Sequence, residues 1–322
     1  MTWLITGGAG YIGAHVVAQV LKSGRDVVVL DDLSTGIQAR IPDNVMFEQV
    51  TLTDQQLVHQ VFKSHSISGV IHLAAKKQVA ESVANPTLYW DENVIGLNNL
   101  LAAMSEHDVT KLVYSSSAAV YGQPELAGTD LITETTPCRP INPYGATKLA
   151  GEWLAQSRTV SDGFSVAALR YFNVAGAGEP HLGDQFAFNL IPIVLNAITQ
   201  GQQPTIFGDD YPTPDGTCIR DYIHVQDLAE AHVAAINLVD SREGVFEPIN
   251  IGSGTGSSVR EVIDAIEGTC GIEIQPAMAA RRDGDPAQLV AAVSKARELL
   301  SWESSKSLGD IVTSAWEAWN VN

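Results

Sequence analysis

Residues 2–13 read TWLITGGAGYIG, an apolar segment that runs directly into glycines at positions 7, 10 and 13. The segment predicts a buried strand, and the apolar run from Tyr11 to about Leu21 predicts a helix that starts among the glycines. Bare glycines let the backbone turn tightly and approach a pyrophosphate, while the free N–H groups at the helix start bind its charge. The spacing is G-x-x-G-x-x-G rather than G-x-G-x-x-G, so the following strand has to support the interpretation.

A second apolar strand, residues 27–30, ends at Asp31 and Asp32, and Asp31 lies eighteen residues after the last glycine of the turn. A carboxylate at this place suits the two hydroxyls of an adenosine ribose and repels a 2′-phosphate. We therefore predict that the chain binds NAD rather than NADP. The predicted contacts are Gly7, Gly10, Tyr11, Ile12 and Gly13 in the turn, followed by Asp31, Asp32, Leu33 and Ser34.

Strands and helices alternate along the first half of the sequence. Strands are predicted near 2–6, 27–31, 45–49, 69–73, 111–116 and 165–170, and helices near 11–23, 54–65, 93–107 and 144–158. This alternation predicts an α/β fold with a doubly wound parallel sheet. After Asn173 come glycine- and proline-rich loops, with shorter strands near 204–207, 247–251 and 272–276 and helices near 189–200, 225–239, 257–267 and 308–319. We expect residues 1–173 to form a Rossmann domain for NAD and residues 174–322 a smaller substrate lobe, with segments such as 225–239 returning to the first layer.

Composition excludes several classes of function. The 322 residues are 45% hydrophobic, enough for a large core, and carry a formal net charge of −18, which argues against wide contact with nucleic acid. The cysteines Cys138, Cys218 and Cys270 are scattered and odd in number, so we expect reduced thiols and a cytoplasmic protein. Because the first strand starts at residue 2 and no apolar run is long enough for a bilayer, we expect neither a signal peptide nor a membrane span. The eight histidines show no metal-ligand spacing, so we expect no metal and interpret His72 and His224 as structural.

A tyrosine and a lysine four residues apart, Tyr144 and Lys148, follow a strand that ends in the serine run 115–117. Positions i and i+4 share one face of a helix, so the ammonium of Lys148 can lie beside the phenol of Tyr144. A tyrosine with a pKa of about 10 is a poor base at neutral pH. A neighbouring cation lowers that pKa, and the charge of an oxidised nicotinamide would lower it further. The pair therefore predicts a proton-transfer device beside a hydride acceptor.

With these features in place, the sequence resembles the extended short-chain dehydrogenase/reductase family, and within it the 4-epimerases of UDP-hexoses. The resemblance covers nearly the whole chain. Residues 6–13, 70–75 and 115–122 match the wider family, residues 169–173 continue the match, and residues 206–213, 220–225 and 281–285 are more specific to the epimerases.

The resemblance implies a reaction. Tyr144 as phenolate removes the proton from the 4-hydroxyl of UDP-glucose or UDP-galactose while the C4 hydride passes to NAD⁺. The resulting 4-keto sugar turns over in the pocket and takes the hydride back on its other face, which inverts C4. Ser117 is implied to bridge the sugar oxygen and the tyrosine, and the cofactor is implied to stay bound through the cycle.

The resemblance also assigns binding residues one at a time. Implied cofactor contacts, besides Tyr144 and Lys148, are Thr51, Leu52, Leu73, Ala74, Ala75, Lys77, Asn93, Ser115 and Tyr171. Implied contacts of the UDP-sugar, besides Ser117 and Tyr144, are Asn173, Asn189, Leu190, Phe207, Arg220, Arg282, Asp285 and Leu289. Lys76 is interpreted as solvated and Arg281 as an alternative to Arg282. Leu289 falls where the family walls the 2-substituent of the sugar.

Departures from the family pattern leave alternatives open. Thr51 stands where the family usually has an acidic residue for the adenine amine, Ala119 replaces a frequent threonine, and the loop 176–188 is shorter than expected. A nucleotide-sugar 4,6-dehydratase normally has an Asp-Glu pair where Ala118 and Ala119 stand, which argues against dehydration. Another nucleotide-sugar epimerase or reductase stays open, as does a non-catalytic NAD-sensing binder.

We also expect a homodimer. The helices near 93–107 and 144–158 carry apolar residues beyond one stripe, and related enzymes pair these helices into a four-helix bundle. The residues concerned are Leu97, Leu100, Leu101, Met104, Leu149, Trp153 and Leu154, which could equally belong to the core.

Overall fold

The computed structural model describes residues 1–124, 131–282 and 284–321. The strands are β1 Thr2–Thr6, β2 Asp26–Leu30, β3 Met46–Glu48, β4 Ile67–His72, β5 Lys111–Ser117, β6 Ser165–Tyr171, β7 Asn173–Ala175, β8 Thr205–Phe207, β9 Ile219–His224, β10 Phe246–Ile251, β11 Gly256–Ser258, β12 Ala277–Ala279 and β13 Gln288–Leu289. The helices are α1 Tyr11–Lys22, α2 Gln55–Ser64, α3 Val79–Ala84, α4 Pro86–Trp90, α5 Gly96–Glu106, α6 Pro143–Ser161, α7 Leu190–Thr199, α8 Val225–Ser241, α9 Val259–Cys270, α10 Ser294–Leu300 and α11 Leu308–Trp319. A π-helical turn, Asp91–Ile95, joins α4 to α5, and short 3-10 turns lie at Gln38–Arg40, Ala118–Val120 and Pro180–Leu182. None of these helices combines the length and the apolar character needed to cross a bilayer.

One parallel sheet organises the larger part of the molecule. Its strands lie in the order β10, β6, β5, β4, β1, β2, β3, and every neighbouring pair is parallel. The chain winds outward from β1 in both directions, so the strand order reverses between β1 and β4. In such a sheet, ligands bind in the crevice at the carboxyl ends of the strands where the order reverses.

Both faces of this sheet are covered by helices. In β1, Trp3 and Ile5 pack with α1 and α8 on one face, whereas Leu4 packs with α2 and α5 on the other. All three side chains are 0% exposed. Successive strand residues point to opposite faces, so a strand covered on both faces is apolar at every position, as residues 3–5 are.

A smaller lobe is built around a second set of strands. β9 pairs with β7, β11 and β13, and β8 pairs separately with β12. Helices α7, α9 and α11 share a core, in which Ile191, Ile263 and Ile311 are buried. This lobe stands beside the carboxyl ends of the large sheet, because β7 follows β6 after a single residue.

Two differences from the predicted elements have clear physical causes. The prediction of a strand at 272–276 is wrong. The strand in this part of the chain is β12, which starts directly after Pro276. Proline lacks the N–H that a ladder needs, so pairing begins only beyond it. The short helices α3 and α4 were not predicted, because Asn85 and Pro86 interrupt the apolar pattern between them.

Part of the second half of the chain belongs to the large sheet. α8 packs against α1, and β10 pairs with β6 along its length, from Phe246 opposite Val166 to Ile251 opposite Tyr171. The chain therefore enters the smaller lobe after β6 and returns to the sheet before entering that lobe again.

Candidate active site

The glycine turn between β1 and α1 is too tightly packed to admit side chains. Gly7 has a φ of +72°, and a Cβ there would lie 2.7 Å from the backbone nitrogen of Ala74. A Cβ at Gly13 would lie 2.0 Å from the carbonyl oxygen of Gly7. Because no side chain blocks the turn, the start of α1 stays open to an anion.

The carboxylate of Asp31, at the end of β2, holds this turn in place. Its Oδ2 accepts a hydrogen bond from the Ala9 N–H at 3.0 Å, and its Oδ1 accepts one from the Leu33 N–H at 2.9 Å. Burial raises the pKa of Asp31, and these two hydrogen bonds oppose the rise. Each carboxylate oxygen has a further lone pair, so Asp31 can still accept hydrogen bonds from two ribose hydroxyls.

Tyr144 lies in the first turn of α6, where a helix cap fixes it. The Asn142 side chain caps the helix by accepting a hydrogen bond from the Gly145 N–H at 2.8 Å. The ring of Tyr144 packs edge-on against that of Tyr89, with centroids 6.5 Å apart. The side chain of Ser117, the last residue of β5, is close enough to the Tyr144 hydroxyl to lower the pKa of Tyr144. The structure thus brings together the phenol and the hydroxyl that were predicted to act together.

Lys148 lies one turn further along α6 and is 3% exposed. Its Nζ donates to the Ser115 carbonyl oxygen at 2.7 Å and lies 5.4 Å from the ring centroid of Tyr114. Burial lowers the pKa of Lys148 to about 7, and the nearby carboxylate of Glu152 opposes this shift. The ammonium is therefore anchored at the end of β5 and titrates near neutral pH.

The effect of Lys148 on the pKa of Tyr144 stays a prediction. Burial raises the pKa of Tyr144 above its ordinary value, and the side chain of Ser117 opposes the rise. The lysine instead meets the Ser115 carbonyl, because a buried ammonium needs an acceptor. A further positive charge, such as that of an oxidised nicotinamide, would favour ionisation of Tyr144.

A buried ion pair supports the end of β5, beside which Tyr144 and Lys148 lie. Arg170 on β6 binds Glu152 on α6 twice, with Nη2–Oε2 at 2.6 Å and Nε–Oε1 at 2.9 Å. The Ser116 hydroxyl donates to the same carboxylate at 2.5 Å, and Arg170 also donates to the Tyr121 hydroxyl at 2.8 Å. Ser116 is the middle residue of the serine run, so the ion pair links α6, β5 and β6 underneath the cleft.

One cleft at the carboxyl ends of the strands collects most of the predicted cofactor residues. They are Gly7, Gly10, Tyr11, Ile12, Gly13, Asp31, Asp32, Ser34, Leu52, Leu73, Ala74, Ala75, Lys77, Ser115, Tyr144, Lys148 and Tyr171. Leu33, Thr51 and Asn93 do not line this cleft. Asn93 is buried behind the wall, where its side chain bonds the main-chain N–H and carbonyl of Lys76 at 2.8 and 3.0 Å. It therefore shapes the wall rather than forming its surface.

Sequence reasoning missed other parts of the wall. Lys76, interpreted as solvated, lines the cleft together with Lys77, and its Nζ lies 3.5 Å from Ser34 Oγ. This contact is exposed to solvent, so lining the cleft is compatible with a solvated lysine and the interpretation stays a prediction. The cleft is also lined by Leu30, Thr35, Gly36, Val50, Gln78, Glu81, Glu92, Asp184, Phe186 and Phe188. Several of them follow the carboxyl ends of β2 and β4. Because ligands of such sheets bind at the carboxyl ends of the strands, these residues could have been predicted from their position.

The short loop before α7 adds an aromatic edge to the cleft. The rings of Phe186 and Phe188 are stacked, with centroids 5.8 Å apart and planes at 2°, and both line the cleft. Asp184 in the same loop accepts a hydrogen bond from the Asn189 side chain at 3.4 Å. Asn189 is the residue before α7 and Leu190 its first residue, so both predicted substrate contacts lie at the end of this loop.

Other predicted substrate residues lie around β9 in the smaller lobe. Leu289 on β13 pairs with Arg220 on β9, and the guanidinium of Arg220 forms an ion pair with Asp285. Asn173, the first residue of β7, pairs with Tyr222 on β9. Leu289 also packs with a cluster that contains Ala118, next to Ser117. The structure thus places Leu289 between the region of Arg220 and the end of β5.

The neighbouring residues Arg281 and Arg282 have different partners. The guanidinium of Arg282 lies 3.9 Å from the ring centroid of Phe207. That of Arg281 is bound to the carboxylate of Asp210 at 2.6 Å and lies 4.2 Å from the ring centroid of Tyr211. Among the described residues, Arg282 has no carboxylate partner, so it keeps its donors for an anion whereas Arg281 does not.

The chain matches the family described as the NAD dependent epimerase/dehydratase family over residues 3–252. It is 45% identical to the UDP-glucose 4-epimerase of Streptomyces lividans over 319 residues, which cover 98% of this chain and 95% of that protein. It is 46% identical to the UDP-glucose 4-epimerase of Halalkalibacterium halodurans over 326 residues, again 98% of this chain and 95% of that protein. A solved structure of the UDP-glucose 4-epimerase from Bifidobacterium longum in complex with NAD⁺ and UDP matches with a TM-score of 0.92 and 39% identity, over 100% of this chain and 99% of that chain.

The chain therefore belongs to the NAD dependent epimerase/dehydratase family. The predicted doubly wound α/β fold and the predicted cofactor NAD are confirmed. The residues present also fit this cofactor, because a side-chain-free turn faces the pyrophosphate position, a carboxylate follows β2, and a lysine and a tyrosine lie at the far end of the same cleft.

Proposed function

We propose that this protein inverts the C4 hydroxyl of a UDP-hexose and interconverts UDP-glucose and UDP-galactose through a transient 4-keto sugar. One observation carries the proposal: Tyr144, whose pKa the neighbouring Ser117 side chain lowers, lines the same cleft as the glycine turn. A proton-transfer group is thereby placed in the cleft that holds NAD. The two relatives described above are both UDP-glucose 4-epimerases, which supports this substrate.

Three side chains carry the proton chemistry in this proposal. NAD⁺ held in the cleft that the glycine turn, Tyr144 and Lys148 line would supply the acceptor for the C4 hydride and the source of its return to the opposite face of the sugar. Tyr144 takes the 4-hydroxyl proton in the first half of the reaction and gives it back in the second. Ser117 is proposed to hold the sugar oxygen beside the phenol, and the buried ammonium of Lys148 is proposed to add to the positive charge of bound NAD⁺ that favours the phenolate.

The proposed cofactor contacts are those predicted above, with three additions from the cleft wall. Lys76 brings a second cation next to Lys77, and Phe186 and Phe188 form an apolar edge. Asn93 is proposed to act through the main chain of Lys76 rather than by direct contact.

The UDP group is proposed to lie over β9 in the smaller lobe. Arg282 offers a forked guanidinium that suits a diphosphate, and Phe207 holds it from below. Arg220 provides a second guanidinium, oriented by Asp285. Asn173, Asn189, Leu190 and Leu289 complete the proposed contacts. Because the formal net charge is −18, these arginines are the main attraction for a dianionic ligand.

The alternatives differ from this proposal in what they require of the site. Dehydration would need an acid-base pair at 118–119, where the structure has alanines in a 3-10 turn. A non-catalytic NAD-sensing binder would need neither the phenol nor its partner serine, and both are present and close together. Another nucleotide-sugar epimerase or reductase would share the catalytic groups, so only the sugar pocket and a turnover measurement separate it from this proposal.

The test is turnover of UDP-galactose by the purified protein without added NAD. We expect UDP-glucose to accumulate to a constant ratio, with no growth of reduced-nicotinamide absorbance, because the hydride is returned in each cycle. NADH accumulating in step with every sugar consumed would establish a net oxidoreductase. If the protein holds its cofactor and no UDP-glucose forms, the 4-epimerase proposal is refuted, whether or not UDP-galactose is consumed.

The two lobes have separate roles in this proposal. Residues 1–173 bind NAD and residues 174–322 bind the UDP-sugar, while α8 and β10 belong structurally to the NAD-binding sheet. The catalytic groups come from β5 and α6 on the NAD side, so the sugar has to reach across from one lobe to the other.

We propose a homodimer through α6 and the helical segment in front of α5. The apolar residues Leu97, Leu100, Leu101 and Met104, which the sequence offered for this interface, are buried in the core of the chain and are not available to a partner. Trp153 on α6 is 62% exposed, and Ile95 in the adjoining π-helical turn is 50% exposed. These two side chains lie on helical segments that pack against each other and offer an apolar surface to a second copy.

Light scattering should give twice the chain mass of 34.4 kDa at micromolar concentration. Replacing Trp153 by glutamate should reduce the mass to that of one chain, because a charge would be buried in the interface. The matched control is Val160→Glu, which places a charge at an exposed position near the end of the same helix, away from Trp153. This variant should keep the mass of two chains. A monomer at every concentration would refute the proposal.

We also infer a reducing, cytoplasmic location. All three cysteines are free in the structure, and none faces another at bonding distance. Cell fractionation with a matched periplasmic or secreted marker tests this, and recovery with that marker would contradict it.

A further inference from the structure

Two histidines and a glutamate come together near the amino ends of the strands of the large sheet, on the side away from the cleft. His59 is on α2, while Glu106 and His107 are at the carboxyl end of α5, just before β5 starts. The ligand atoms of the three side chains lie within 4.8 Å of one another. This cluster joins the two helices at the amino ends of the strands, so it plays no part in the cofactor or sugar contacts.

The two imidazoles each have a buried nitrogen without a hydrogen-bond partner among the described residues. These atoms are His59 Nδ1 and His107 Nε2. Glu106 Oε2 lies 3.1 Å from His59 Nδ1, close enough for an ion pair but not aligned for a hydrogen bond. A buried polar atom left without a partner costs roughly 1–3 kcal/mol, so two such atoms in one cluster with a carboxylate indicate that a ligand satisfies them.

The rings are held in place by their surroundings. His107 is stacked on Phe62, with centroids 5.8 Å apart and planes at 22°, and Phe62 belongs to the core beneath α2. The centroids of His59 and His107 are 6.1 Å apart. The Glu106 side chain is 61% exposed and can rotate, whereas that of His59 is only 13% exposed. The site therefore has two fixed nitrogen donors and one movable oxygen donor.

We propose that His59, Glu106 and His107 bind a Zn²⁺ ion that ties α2 to α5. Zinc takes imidazole nitrogen and carboxylate oxygen at about 2.0–2.2 Å, so two ligands at a tetrahedral angle stand about 3.3 Å apart. The His59–Glu106 separation already matches that value, and all the ligand atoms lie within 4.8 Å of one another, so the approach needed to reach it is short. Two imidazoles disfavour Mg²⁺ and Ca²⁺, which prefer oxygen ligands, and a water completes the fourth position.

The role assigned to this ion is structural. It neutralises the carboxylate at the end of α5 and satisfies both unpartnered nitrogens at once. A direct ion pair between His59 and Glu106 would leave the nitrogen of His107 without a partner. Sequence reasoning expected no metal because His59 lies 48 residues before His107, and only folding brings α2 and α5 side by side.

The experiment uses the full chain without a polyhistidine tag. The protein is loaded with ZnCl₂, dialysed against zinc-free buffer and measured for zinc content, and its affinity is determined by competition with a chromophoric chelator. We expect one Zn²⁺ per chain, and thermal unfolding raised by roughly 4 °C at a hundredfold excess of zinc over its Kd. MgCl₂ at the same concentration should produce no shift.

Glu106→Gln and His107→Gln should each weaken zinc binding by on the order of tenfold or more. The matched control is His65→Gln, since His65 also pairs with a glutamate at 2.7 Å at the end of α2 but has no third ligand among the residues that the structure describes. A single cooperative unfolding transition without zinc shows that each variant is folded. Less than half a zinc per chain in the unmodified protein, or equal weakening by His65→Gln, would overturn the proposal.

Discussion

Replacing Glu152 by glutamine should destabilise the protein strongly, although no atom of the substrate or cofactor touches this side chain in the proposed site. The carboxylate makes two bonds to Arg170 and accepts a third from Ser116, and the side chains of the ion pair are 5% and 3% exposed. Glutamine has nearly the same shape, so the substitution removes the charge and one acceptor while leaving the packing intact.

The magnitude follows from the burial of the pair. Breaking a buried ion pair from one side typically costs about 3–5 kcal/mol, because the remaining charge is left without a counter-ion in a poorly solvated place. The glutamine oxygen can still accept one bond from Arg170 or Ser116, and the Tyr121 hydroxyl still accepts another from Arg170. We therefore expect a loss near the lower end, about 3 kcal/mol of unfolding free energy.

Urea unfolding followed by circular dichroism measures this loss, with NAD held at one saturating concentration because bound ligand adds to the apparent stability. The matched control is Glu303→Gln. Glu303 pairs with Arg297 at 2.5 Å, but the two side chains are 60% and 58% exposed, so we expect a loss below about 1 kcal/mol. Equal losses in the two variants would refute the reasoning, since burial would then not decide the outcome. Glu152→Gln should also lower the pKa of Lys148 further. In the unmodified protein the Glu152 carboxylate raises this pKa and so opposes the effect of burial, and the substitution removes that opposition.

Three other changes test the site and its surroundings. Tyr144→Phe should keep the fold and bound NAD but reduce epimerase turnover on the order of 10²-fold or more, because the ring still packs while the proton route is lost; half the original rate would exclude Tyr144 as the base. The unmodified protein should prefer UDP-glucose and UDP-galactose to their N-acetyl forms by about tenfold, since crowding an acetamide costs roughly 1–3 kcal/mol, and Leu289→Ala should narrow that ratio of kcat/KM. Burial lowers the pKa of His72 to about 3 and of His232 to about 4, so the folded protein leaves both neutral while the unfolded chain protonates them below about pH 6.5. The free energy of unfolding should fall by up to about 1.36 kcal/mol per pH unit for each as pH drops from 6.5 to 5, and urea unfolding with no such fall would contradict this assignment.

Much of the fold could be predicted because its determinants are local. The run from Trp3 to Gly13 carries the strand, the turn and the helix start within a dozen residues, and the apolar strands on either side of it are covered on both faces. The position of β10 was less accessible, because its pairing with β6 depends on a return of the chain over some seventy residues. Strand β12 was displaced by a single proline, Pro276, whose effect a pattern of apolar residues does not record.

The candidate site divides in the same way. Residues that follow strand ends, such as Asp31, and those spaced on one helix turn, such as Tyr144 and Lys148, were predictable from position. What position could not supply was the environment of each group. The direction of the pKa shift of Tyr144 depends on burial by distant elements, and the difference between Arg281 and Arg282 depends on which ring and which carboxylate each one meets.

The return of α8 and β10 to the large sheet has a consequence for how this protein can change over time. A chimaera that joined the first 173 residues of one relative to the remainder of another would not exchange a whole sugar-binding unit. It would also exchange the edge strand and the helix that cover β6 and α1, so two foreign surfaces would have to match in the middle of the molecule. Genetic recombination at that point is therefore disfavoured, and if Leu289 walls the sugar as proposed, new sugar preferences are more accessible through single substitutions there.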